Sequence, residues 1–149
     1  MDGSTKSRLV ALAREAAGKA HAPYSRFHVG CAVMGEDGSV VTGANMENAC
    51  YRLGLCAEQS ALTAAQHAFG LAAITHVVVA GGPMGEGGIA GEDIITPCGG
   101  CRQAIAEAAS LSGRDIVVIS ASATGSEVLE MTISQLLPAV FGADVLPEG

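Results

Sequence analysis

Leu55-Cys56-Ala57-Glu58-Gln59-Ser60-Ala61 sets a cysteine two residues before a glutamate. Thr96-Pro97-Cys98-Gly99-Gly100-Cys101-Arg102-Gln103 sets a proline before a C-x-x-C. Both stretches lead into helical spacing. From Cys56 to Phe69, residues Ala57, Ala61, Leu62, Ala64, Ala65, Ala68 and Phe69 form a wide apolar stripe, closed by Gly70. A further helix is predicted over Pro97 to Ala109, with Pro97 in its first turn, where a missing N–H costs nothing. The two motifs therefore open two helices.

The rest of the chain supplies a sheet for those helices. Ser4 to Lys19 reads as a helix with Ser4 as N-cap, and Ala22-Pro23-Tyr24-Ser25 ends it. Phe27 to Met34 alternates as a strand, Asp37-Gly38 marks a turn, and Val40 to Ala44 returns. Further strands are expected at His76–Ala80, Ile116–Ser120 and Val128–Met131. The first and last strand pairs must be antiparallel, because their connections are too short for a parallel crossover. Thr132 caps a short helix, Ile133 to Leu137, which Pro138 stops. Asn45 to Leu55 is a polar loop, where binding groups usually sit. Met84 to Ile95 is Gly-rich, but no G-K-[S/T] follows and its acids would repel phosphate, so it reads as a connector. This order predicts an α/β fold: a three-layer αβα sandwich on a mixed five-stranded sheet, one domain over residues 1–149.

Composition narrows the function. Of 149 residues, 49% are hydrophobic and 3% aromatic, with no Trp, so the core must be built from Ala, Val, Leu and Ile. A formal charge of −7 with only 8 Lys and Arg argues against a nucleic-acid surface. No apolar run is long enough for a bilayer, and Met1–Lys6 lacks a signal-peptide core. A cytoplasmic protein with reduced cysteines is expected. Cys31 and Cys50 read as small buried apolar side chains. The four His (21, 28, 67 and 76) show no ligand spacing and read as structural.

Cys56, Cys98 and Cys101 can hold zinc as three thiolates and leave a fourth position for water. Glu58 can carry protons beside that water. Other readings stand: a redox pair, or a structural zinc completed by Cys31, Cys50 or a His. Glu58 alone reads equally as an acid favoured by the helix dipole. Two helix starts facing the thiolates would lower their pKa values and offset their charge.

From about Arg14 to Leu146 the chain resembles the cytidine deaminases of the small homotetrameric class. The resemblance rests on the zinc motifs together with APYSRFHVGCAV (22–33), GANMENACYRLGLCAEQSAL (43–62), TPCGGCRQ (96–103) and ISQLLPAVFGADVL (133–146). It implies one zinc per subunit on Cys56, Cys98 and Cys101. It also implies attack of a zinc-activated hydroxide on pyrimidine C4, with Glu58 as proton shuttle. Asn45 and Glu47 would bind the ribose 3′-hydroxyl, Phe27 would line the base pocket, and the Ala57 N–H would meet the 2-oxo group. Tyr51 and Phe141 would reach a neighbouring subunit's site. The substrate would be a nucleoside, cytidine or deoxycytidine, with no nucleic-acid or membrane partner. The departure is Gln59, where three-cysteine members usually carry an Arg that bonds the thiolates. Gln brings donors without charge, so Arg52 or Arg102 is expected to supply part of the missing cation. A deaminase of the blasticidin type shares the zinc motifs and lacks that Arg. A non-catalytic zinc or redox module is the reading from another class.

Overall fold

A computed structural model describes residues 1–148. In chain order the elements are α1 (Gly3–Ala17), β1 (Phe27–Gly35), β2 (Val40–Ala44), α2 (Ala57–Ala68), β3 (Ile74–Gly85), β4 (Gly88–Ile89), α3 (Gly99–Ser112), β5 (Val117–Ser122), β6 (Val128–Thr132) and α4 (Ile133–Leu136). Five strands form the main sheet in the order β2-β1-β3-β5-β6, and β4 is a two-residue addition paired with β3. β3 and β5 run parallel, and the other pairs run antiparallel, including both predicted hairpins. The α/β architecture and the mixed five-stranded sheet expected from the sequence are present, with β4 in addition.

Alternation along the strands makes the three layers. Ala32, Val78, Ala80, Ile119 and Ala121 face α1 and pack on its Leu9, Val10 and Ala13. Cys31, Val33, Val77 and Val118 point the other way, against α2, α3 and α4. With so few aromatics, contact depends on helices lying close to the sheet. A Cβ at Gly30 would stand 1.9 Å from Ala13 O on α1. A Cβ at Gly43 would stand 2.4 Å from Ala61 N on α2. Glycine at these two positions lets a helix backbone touch each face.

Several boundaries differ from the sequence reading. Asp2, not Ser4, caps α1: its Oδ1 accepts from Thr5 N at 2.7 Å. The helix stops at Ala17, before Gly18 and Lys19. β3 continues past Ala80 through Gly81-Gly82-Pro83, because the first residues of β1 pair with it (Phe27 opposite Pro83, His28 opposite Gly82). That tertiary pairing outweighs weak strand propensity. The Gly-rich segment is not a plain connector, since Met84 and Gly85 pair with β4. α3 begins at Gly99 with Cys98 as N-cap, so Pro97 lies just outside the first turn and α3 extends to Ser112. Cys50 is exposed rather than buried; Cys31 is fully buried as expected. No helix is long and apolar enough to cross a membrane among the described residues.

Candidate active site and metal centre

Cys56 is the N-cap of α2, and Cys98 is the N-cap of α3. Cys101 lies in the first turn of α3, fully buried. The two helix starts face each other and bring the three Sγ atoms within 4.8 Å of one another. Cys56 Sγ and Cys98 Sγ are 4.0 Å apart. Tetrahedral zinc with bonds near 2.3 Å needs sulfurs about 3.8 Å apart, so the donor set fits that ion. Cys31 and Cys50 stand outside the cluster, so three protein ligands and one open position describe it better than a four-ligand structural site.

Charge at the cluster follows local surroundings. Backbone N–H groups of Cys101 and Gly100 bond the Cys98 sulfur and hold its pKa below the usual thiol value. Burial raises Cys56, and burial with the nearby Glu58 carboxylate raises Cys101 strongly. The expected lowering by helix starts therefore holds at Cys98 alone. Cys101 sits inside the turn rather than at its open end, where burial outweighs the dipole. Three thiolates beside a carboxylate need a cation among them, which again suits a divalent metal.

Glu58 is in the first turn of α2 and only 4% exposed. Its Oε2 accepts from Cys101 Sγ at 3.5 Å. Burial raises its carboxyl above the ordinary range, which suits a group that takes and returns protons near neutral pH. Glu58 also lines a cavity of about 600 Å³. Cys56, Ala57, Glu58 and Cys98 line its base, and Asn45 and Glu47 line one wall. Ala57 N–H is among the four at the start of α2 that have no partner within the helix.

The wall is held by its own side chains. Asn45 Oδ1 accepts from Val29 N at 2.8 Å, and Asn45 Nδ2 donates to Phe27 O at 2.8 Å. The amide thereby continues the β1 ladder one step beyond the end of β2. Glu47 Oε1 accepts from Tyr24 N at 3.0 Å and Ser25 N at 3.1 Å. The Ser25 side chain, with the backbone N–H groups of Ser25 and Tyr24, holds the Glu47 carboxyl below its usual pKa. Met46 and Leu55 exchange backbone bonds across the neck of the loop.

The description "Cytidine and deoxycytidylate deaminase zinc-binding region" belongs to the family model that matches residues 3–118. The chain belongs to this deaminase family. A cytidine deaminase of Halalkalibacterium halodurans is 38% identical over 139 residues, 93% of this chain and 96% of that one. A cytidine deaminase of Mycobacterium tuberculosis is 36% identical over 135 residues, 91% of this chain and 88% of that one. The crystal structure of cytidine deaminase from Burkholderia pseudomallei aligns with a TM-score of 0.78 at 34% identity, covering 95% of this chain and 100% of that one. The chain thus carries the family's zinc-binding region, and its three-thiol cluster fits one zinc ion.

Within the family site, the remaining expected residues separate. Tyr51 lines the cavity of its own chain, is 78% exposed, and meets Tyr24 edge-on with ring centroids 5.7 Å apart. Phe27 is not among the lining residues; Val29, two residues on, takes the place on β1. Phe141 is 61% exposed and also outside the cavity, with its carbonyl accepting from Gln103 Nε2. Arg102 donates to Pro97 O at 2.8 Å and Leu136 O at 2.9 Å, so its guanidinium serves carbonyls rather than thiols. Arg52 is exposed and bonds no thiol among the described residues. Sequence reading missed Tyr24, Ser25, Ile95 and Thr96 as lining residues. Ile95 closes the Gly-rich segment and Thr96 opens the C-x-x-C stretch, so their only signal was nearness to the cysteines.

Proposed function

We propose that this chain deaminates cytidine and deoxycytidine hydrolytically, giving uridine or deoxyuridine and ammonia. The single observation that carries the reading is the buried Glu58 carboxyl at 3.5 Å from Cys101 Sγ, at the floor of a cavity of nucleoside size. Zinc held by Cys56, Cys98 and Cys101 would supply Lewis acidity and a water of lowered pKa. Glu58 removes a proton from the attacking water and delivers it to ring N3; it then takes the second proton, from the new C4 hydroxyl, and passes it to the amino group, which leaves as ammonia. The C4–N bond breaks as the C4 carbonyl forms. Ala57 N–H is placed to receive the 2-oxo group, and the free lone pairs of Glu47 and Asn45 suit the ribose hydroxyls.

No Lys or Arg lines the cavity, and Glu47 stays ionised there. A 5′-phosphate would meet repulsion without a cation, so the site suits the nucleoside. The relatives named above are cytidine deaminases, which supports the same substrate class. We also propose a single domain acting in the cytoplasm, in pyrimidine salvage, as a homotetramer with shared sites. Exposed Tyr51 at the cavity mouth and exposed Phe141 and Val140 in the tail support an intersubunit role.

The test is loss of cytidine absorbance with ammonia release, run on the zinc-loaded protein with cytidine, deoxycytidine, blasticidin S and the two 5′-monophosphates. Turnover is expected for the two nucleosides, with the monophosphates at least 100-fold poorer. A zinc-loaded protein that turns over neither nucleoside overturns the reading.

A further inference from the structure

We propose that Gln59, the one side-chain N–H donor to a ligand sulfur among the described residues, positions Cys101 for zinc as a neutral donor where no cation reaches the site. The proposal rests on the reading that the three-thiol cluster holds zinc.

Gln59 follows Glu58 in the first turn of α2, and its Nε2 donates to Cys101 Sγ at 3.9 Å, within reach for a sulfur acceptor. The side chain passes over the start of α3, where Gly100 offers no side chain against it; a Cβ there would meet Gln59 Nε2 at 4.0 Å. Gln59 does not line the nucleoside cavity. It lines a separate groove of about 370 Å³ between α2 and α3, with Leu62 and Ala104. The amide therefore reaches Cys101 from outside the cavity, which makes Gln59 a positioning residue rather than a catalytic one.

Charge counting gives this bond its weight. Three thiolates on a divalent ion leave a net charge of about −1. Arg102 is engaged by Pro97 O, Leu136 O and the Thr96 hydroxyl, and neither it nor Arg52 bonds a thiol among the described residues. What remains are the backbone N–H groups at the helix starts and the Gln59 amide. Partners one shell out from a metal orient its ligands, and their loss commonly costs metal affinity about 10–100-fold.

The experiment measures zinc affinity by chelator competition, and the thiolate-to-cobalt charge-transfer band of the cobalt-substituted protein. It uses wild type, Gln59→Ala, Gln59→Met, Gln59→Glu, Gln59→Arg and Arg52→Ala. Gln59→Ala and Gln59→Met are expected to bind zinc about 10–100-fold more weakly, with a shifted cobalt band. Gln59→Glu should fall further, because it sets a second carboxylate beside the thiolates. Gln59→Arg should match or exceed wild type, and Arg52→Ala should equal it. Gln59→Met retains the volume if the Ala variant folds poorly. Affinity within twofold of wild type and an unmoved band in either neutral variant overturn the proposal. So does an Arg52→Ala variant that loses as much zinc as Gln59→Ala. A wild type that binds no zinc overturns the zinc reading itself, and this proposal with it.

Discussion

Glu58 Oε2 and Cys101 Sγ lie 3.5 Å apart, each in the first turn of its own helix, α2 for one and α3 for the other. The contact joins the buried acid at the start of α2 to the three-thiol cluster. Glu58→Gln keeps the volume and a hydrogen-bonding group but cannot exchange protons. The expected outcome is full zinc content with kcat down by about 10²–10⁴-fold. Zinc analysis and an absorbance assay on the same preparation check it. A variant with more than a tenth of wild-type rate sinks the proton-carrier role.

Zinc removal should act on stability as well as rate. The three cysteines come from the starts of α2 and α3, so a zinc ion held by them would link two helices that otherwise meet through small side chains. Free zinc at about 100 times its Kd would stabilise the fold by about 2.7 kcal/mol. A chelator-stripped protein should therefore melt at a lower temperature and regain both melting point and activity on adding zinc. Equal melting curves with and without zinc would contradict this.

The pH dependence of substrate binding should be flat across the neutral range on the acid side. The Ser25 side chain and the backbone N–H groups of Ser25 and Tyr24 hold the Glu47 carboxyl below the ordinary carboxylate value. A carboxyl whose pKa is lowered on folding adds stability that is complete above its unfolded value, near 4.3. That contribution is lost only as pH falls through the folded value. KM for cytidine should thus change little from pH 7 to pH 5 and rise only in stronger acid. A KM rise centred near pH 6 would exclude Glu47 as the ionised ribose partner.

Gly30 offers a test of the layer spacing. A Cβ there would press against Ala13 O at 1.9 Å and Ala17 N at 2.4 Å. These are backbone atoms of α1, so no side chain can turn aside. Gly30→Ala should lower unfolding free energy by about 1–3 kcal/mol through overpacking. Gly38→Ala serves as a contrast: nothing lies within 4 Å of its Cβ, and its φ of +85° confines the cost to backbone strain. Urea denaturation compares them, and a Gly30→Ala protein as stable as wild type would show that α1 can move away.

Much of the site could be read from local pattern. The cysteine–glutamate offset at Cys56 and Glu58, and the C-x-x-C at Cys98 and Cys101, fix which side chains share a helical turn. Helical and strand periodicity gave the order of elements, because burial repeats with the geometry of each. Local pattern failed where distant partners decide. The extension of β3 through Gly81-Gly82-Pro83 depends on β1 pairing alongside it.

By itself, then, the sequence picked out the two cysteine motifs, the acid beside the first, and the layered α/β plan, since each motif and element rests on spacing within one segment. Only the tertiary structure decided what stands around them. It turned Asn45 into an extension of the β1 ladder, aimed Arg102 at carbonyls, put Val29 rather than Phe27 in the wall, and laid the Gln59 amide against Cys101. Those outcomes depend on how α2, α3 and the loop 45–55 meet across the sheet. Contacts between segments far apart in the chain leave no periodic mark in either one.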